Sequence, residues 1–190
     1  MTGTVSHDRA VRALWPLLVV AIVMLVADGV AAQNRATRTP TAVITMEKGG
    51  EIVLEFYPGD APRHVENFTK LARQGFYDGQ RVHRVEPGFV VQFGDPQSKT
   101  KPMDDPAMGS GGPGYTIPAE FNSRKFERGV LGMARTQDPN SAGSQVYIML
   151  GPAPFLNGKY TAFGHVTKGM DVVDKIRVGD RITSIKVVEK

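Results

Sequence analysis

The side chains of this chain that could do chemistry are few in kind. None of the 190 residues is a cysteine, which excludes disulfides, thiol nucleophiles and cysteine-ligated zinc. The four histidines, at positions 7, 64, 83 and 165, have no metal-ligand spacing. Asp104-Asp105 lacks the pattern of a calcium loop. The run GSGGPG at 109–114 has the look of a phosphate cradle, but no Lys-Ser/Thr follows and the next element reads as a strand. No serine stands in a nucleophile motif. Asn67-Phe68-Thr69 is formally a glycosylation sequon, yet it lies inside a helical pattern. What remains is three stretches: HRVEPGFVVQFGD (83–95), GVLGMARTQDPNSAGSQVYIML (129–150) and FLNGKYTAFGHV (155–166). Taken alone, Arg84 is a surface arginine and Phe89, Tyr147 and Leu156 are core residues. Only together do they suggest a site.

Those stretches need elements to position them. Ala42–Met46 and Glu51–Phe56, joined by Lys48-Gly49-Gly50, read as a hairpin, with Ile52, Leu54 and Phe56 on one face. Asp60 is placed to cap a helix that has Pro62 in its first turn. Val65, Phe68 and Leu71-Ala72 follow at helical spacing, and Gly75 ends it. Further strand patterns are 81–85, 89–93, 115–117, 130–134, 146–150, 161–166 and 182–188, and Met170, Val173 and Ile176 mark a second short helix. Many short strands with only two helices predict a mainly β sandwich or barrel. Residues 94–114 form a long loop without periodicity, functional or mobile in a compact domain.

The three stretches, in this order, resemble the signature blocks of the cyclophilin family, and the ending VGDRITSIKVVE looks like the close of its bacterial members. The resemblance implies a closed eight-stranded antiparallel barrel capped by two helices, and isomerisation of the bond before proline without a cofactor. It places Arg84 at the catalytic arginine and Gln92 at the glutamine that holds the arginine and the substrate backbone. Phe89, Val90, Tyr147 and Leu156 fall at the proline pocket; Ala134, Arg135 and Gln145 fall along the peptide groove. Phe155 stands where many eukaryotic members carry tryptophan, Tyr160 where histidine is frequent, Val90 where methionine is frequent and Arg135 where asparagine is frequent. These departures imply weak cyclosporin binding, because phenylalanine at 155 has no indole N–H. Two functional classes stay open: an isomerase acting on proline-containing polypeptides, and a proline-peptide binding module with incidental catalysis.

The net charge is +4 with no dense Lys/Arg run, which argues against a nucleic-acid partner. Arg9 and Arg12 precede a 15-residue apolar run, Ala13 to Ala27, with small residues at Gly29, Ala31 and Ala32. This pattern predicts a secretory signal peptide over 1–32, with an uncleaved membrane anchor as the rival. No cysteine follows the apolar run, which excludes a lipid anchor on cysteine. Residues 33–40 read as a linker, and 41–190 as one exported, monomeric isomerase domain.

Overall fold

The structure, a computed structural model, describes residues 40–188. The signal peptide or anchor read over 1–32 and most of the linker lie outside the described residues. Among the described residues no helix is long and apolar enough to cross a membrane.

Eight strands and two helices make up the domain. β1 (Thr41–Met46) and β2 (Glu51–Phe56) lead to α1 (Pro62–Arg73), and β3 (Arg84–Glu86) and β4 (Val90–Phe93) follow. After a long connection come β5 (Val130–Met133), β6 (Val146–Met149), β7 (Ala162–Lys168), α2 (Met170–Lys175) and β8 (Ile182–Val188). All pairs are antiparallel, in the order β3-β4-β6-β5-β7-β2-β1-β8. α1 packs on β7 and β8, and α2 packs on β2.

The sheet curls but stays open, which corrects the closed barrel implied by the resemblance. Its edges, β3 and β8, share no ladder. β3 has only three residues, and its ladder is with β4. Its lead-in instead meets the approach to β8 through an isolated Arg81↔Arg181 bridge. Backbone bonds from Gly79 N to Ile182 O and from Val82 N to Asp180 O, both 2.8 Å, close that seam and leave little raw edge exposed. The pattern at 115–117 likewise forms no strand, keeping a single bridge, Ile117↔Ala142.

Alternation divides the strands between two apolar clusters. Val91 and Phe93 of β4, Leu131 and Met133 of β5, and Val146 and Ile148 of β6 join the main core. There Phe56, Phe68 and Phe163 pack with ring centroids 5.3–6.1 Å apart. Each such burial contributes about 1.5–3 kcal/mol. The intervening residues, Val90, Val130, Tyr147 and Met149, face the other way into a smaller cluster.

Asp60 does not cap α1. The N-cap is Ala61, without a side-chain cap bond, while Asp60 is drawn to Arg124, 2.7 Å away. Glu120 comes from a distant loop to accept the N–H of Arg63 (3.1 Å) and of His64 (3.0 Å), serving the free donors of the first turn. The same carboxylate meets His64 Nδ1 at 2.7 Å. His64 Nε2 is buried without a partner among the described residues, so protonating it would bury an N–H with no acceptor there. Burial lowers the His64 pKa, with the Glu120 hydrogen bond and charge opposing. The unfolded chain then takes up the proton first, and stability is lost as pH falls below about 6.5. We predict that the urea midpoint drops between pH 7 and pH 5, and that His64→Gln flattens this slope. An unchanged slope in the variant would remove His64 from the account.

Candidate active site

The second apolar cluster is the floor of a cleft. Val90, Tyr147 and Leu156 are at most 7% exposed and form its base. Phe89 and Tyr160 pack against that base. Phe155, on a short 3-10 turn, is 63% exposed and forms the rim, its ring 5.7 Å from that of Phe89. Tyr147 lies across Gly132 of the neighbouring strand, where a Cβ would stand 2.2–2.4 Å from its ring and hydroxyl. Only glycine lets the ring settle there. Phe126 supports the same ring from 6.0 Å. The Tyr147 hydroxyl is buried with no hydrogen-bond partner among the described residues, and burial pushes its pKa far above the usual tyrosine range. This floor repels charge and favours a compact apolar group.

A chain of side-chain amides runs along one wall. Arg84 and Gln92 are directly opposed across β3 and β4, so their side chains share a face. Arg84 Nη1 donates to Gln92 Oε1 at 3.2 Å. Gln92 Nε2 donates to Gln145 Oε1 at 2.9 Å. Gln145 Nε2 donates to the carbonyls of Gly109 (2.7 Å) and Gly111 (2.8 Å). Each amide therefore has its oxygen toward the arginine side and its nitrogen toward the loop. The guanidinium lies 5.8 Å from the centre of the Phe89 ring. Its ion pair with Glu86, at 3.5 Å, joins two half-exposed side chains and holds it weakly.

The 94–114 loop is ordered by Asp95. This fully buried carboxylate accepts the N–H of Gln97 (2.8 Å), Gly109 (2.6 Å) and Gly111 (3.3 Å). A Cβ on Gly111 would sit 2.1 Å from Asp95 Oδ1. His83 packs beside Gly109 with both ring nitrogens buried; burial lowers its pKa, with Asp95 and the side chain of Gln145 opposing. It stands behind the wall as a neutral packing group.

Ten of the eleven residues singled out in the sequence line this one cleft of about 300 Å3. Gln145 lies instead in an adjoining cleft of about 510 Å3, which shares Gln92, Ala134 and Arg135 with the first. At the junction the Ala134 N–H donates to Gln145 O at 2.8 Å. Arg135 donates to the carbonyls of Thr136 (2.7 Å), Gln137 (3.1 Å) and Lys159 (2.9 Å) and lies 4.4 Å from the centre of the Tyr160 ring. Its guanidinium is thus held in place by its own loops. Among the described residues no group of three or more His, Asp or Glu side chains could hold a metal ion.

Sequence reasoning missed Phe126, Gly132 and Asp95. Phe126 is a lone apolar residue in a polar stretch, and Gly132 gives no signal until Tyr147 is seen across from it. Asp95 had one: an aspartate followed by proline at the end of a strand is a helix-capping pattern.

The family model for cyclophilin type peptidyl-prolyl cis-trans isomerase/CLD matches residues 41–189. A Brucella abortus protein named probable peptidyl-prolyl cis-trans isomerase is 47% identical over 153 residues, covering 78% of each chain. Peptidyl-prolyl cis-trans isomerase B of Bacillus subtilis is 42% identical over 149 residues, covering 77% of this chain and 97% of its own length. Among solved structures, a Cryptosporidium parvum cyclophilin type isomerase, crystallised in the presence of the dipeptide Ala-Pro, superposes with a TM-score of 0.68 at 26% identity. That match covers 79% of this chain and 99% of that one.

Proposed function

The chain belongs to the cyclophilin-type peptidyl-prolyl cis-trans isomerase family, and from that premise we propose that Arg84 is its catalytic donor, that the Val90/Tyr147/Leu156 floor seats the proline ring, and that its clients are exported proteins. The activity itself, rotation about X–Pro bonds, is that of the family.

An X–Pro bond resists rotation because the nitrogen lone pair is delocalised into the carbonyl. In the twisted transition state that pair is localised on nitrogen. A donor aimed at this nitrogen binds the twisted form better than either planar form. Arginine suits the role because it stays charged and presents several N–H groups, one of which can be spent on positioning. The observation that carries the assignment is the Arg84–Gln92 bond at the edge of an apolar, uncharged floor. There the guanidinium is anchored on one side and half-exposed to the cleft. The floor also excludes the water that would stabilise the charge-separated planar amide. The Ala-Pro dipeptide used with the Cryptosporidium relative supports a proline in such a cleft.

Arg84→Ala should lower kcat/KM on a short proline peptide by about two to three decades, the worth of one transition-state donor, with the denaturation midpoint little changed. A folded variant with wild-type turnover would falsify the assignment.

Export of the clients rests on the basic and apolar pattern of the first 32 residues. N-terminal sequencing of the native protein should find a start near Gln33. An intact Met1 or Thr2 on a membrane-bound form would favour the anchor, and a soluble cytoplasmic form would refute export.

Phe155 at the rim offers a ring face but no N–H. Phe155→Trp should tighten cyclosporin inhibition by about one to two decades, as expected when an otherwise unpaired carbonyl gains a donor, while turnover of a small peptide changes modestly. Equal inhibition constants for wild type and variant would show that other contacts dominate.

A further inference from the structure

Besides Gln92 and residues 134–136, the second cleft is lined by two chain segments that share no ladder. One is the glycine-rich run ending at Tyr115 and Thr116, and the other is the 141–145 segment that carries Gln145. The Ile117↔Ala142 bridge just behind them and the bonds from Gln145 Nε2 to the carbonyls of Gly109 and Gly111 join the two directly, and a side chain outside the cleft lining, that of Asn67 on α1, joins them again. Tyr115 Oη donates to Asn67 Oδ1 at 2.6 Å, and Asn67 Nδ2 donates to Gly143 O at 2.7 Å. Asn67 is 6% exposed, whereas Tyr115 is 42% exposed. The amide thus sits at the base of the cleft with one end on each wall. The asparagine of the formal sequon is therefore committed inside the fold, with no free nitrogen presented for a glycan.

We propose that Asn67 is a positioning residue for client selection: it clasps the two walls of the second cleft at a fixed separation and so sets which side chain beside the proline is accepted. The inference rests on the reading of the first cleft as the proline site. Because the clefts share Gln92, Ala134 and Arg135, a side chain in the second belongs to a residue within about two positions of the proline, at about 3.3–3.6 Å of chain per residue. The walls present mostly glycine and small polar residues, so the space of about 510 Å3 suits a large side chain. The positions where a Cβ would collide lie on the walls themselves: at Gly143 it would stand 2.8 Å from Pro113 Cδ. A small change in wall separation therefore alters what fits, while the floor under the proline, built on other strands, does not move with it.

The test compares two proline peptides on the full chain. One carries only alanines beside the proline, and the other a phenylalanine at each of the two preceding positions in turn. Asn67→Ala should raise KM for the phenylalanine peptide by about three- to ten-fold, the worth of one or two net hydrogen bonds. Its kcat should be unchanged, and so should kcat/KM for the alanine peptide. Tyr115→Phe, which removes one half of the clasp at an exposed position, should raise the same KM. The double variant should then do no more than Asn67→Ala alone, because Asn67→Ala already removes the bond that Tyr115→Phe removes. Equal losses on both peptides, or no change in KM for the phenylalanine peptide, would overturn the proposal. If Asn67→Ala does not fold, the Tyr115→Phe result decides by the same KM criterion. Failure of the proline-site reading would show separately, as Arg84→Ala with wild-type turnover of the alanine peptide.

Discussion

The line of hydrogen bonds from Arg84 through Gln92 and Gln145 to the carbonyls of Gly109 and Gly111 is the interaction on which the arrangement of the site depends. It spans three separate parts of the chain, and each amide in it has only one orientation that satisfies both neighbours. The loop carbonyls accept, so Gln145 must turn its nitrogen to them and its oxygen to Gln92. Gln92 must then turn its own oxygen to the arginine. The direction of the whole line is set at its far end by Asp95, whose buried carboxylate collects three backbone N–H groups. A buried carboxylate without such donors would be costly; with them it gives an otherwise irregular loop one preferred path. The 94–114 segment thus acts as the fixed end of a strut whose free end is the guanidinium.

The sheet supplies the second constraint, through the strand period of two. Residues of β4, β5 and β6 that alternate inward build the main core. Their neighbours build the outer cluster, and the floor of the cleft is the exposed side of that cluster. Core and site are therefore two faces of the same strands, and rigidity in one is inherited by the other. Gly132 shows how tight the outer face is. Its missing side chain is the space in which the Tyr147 ring lies, so a residue with no chemistry of its own decides the shape of the pocket. α1 is also bound into the site. Its first turn is completed by Glu120, and its second carries Asn67, which contacts both walls of the second cleft.

The departures from common family residues act at the margins of this frame. Val90 keeps the floor apolar, Phe155 keeps a ring at the rim, and Tyr160 stacks with a guanidinium held by three carbonyls. None of them enters the line that holds Arg84. They alter what the groove displays and leave that line intact.

Much of the strand pattern, both helices and the cleft-lining residues were legible in the sequence, because each depends on local periodicity or on a contiguous block with a recognisable order. Glu51–Phe56 and Ile182–Val188 lie where their alternation puts them, and Pro62 opens α1 as its fixed φ requires. What the sequence could not carry was set by partners remote along the chain. Asp60 has the composition of a cap, but Arg124 was closer in space and Glu120 took the capping role. The sheet stayed open because the chain brings together the approaches to β3 and β8 and not the strands themselves, a matter of where two distant segments meet. Phe126, Gly132 and Asn67 carry no pattern that marks these roles in one dimension, since the roles are defined by what lies opposite: a ring, a ring and two walls. Periodicity is a property of neighbours in the chain and survives in the sequence. Complementarity is a property of neighbours in space, and only the folded chain determines it.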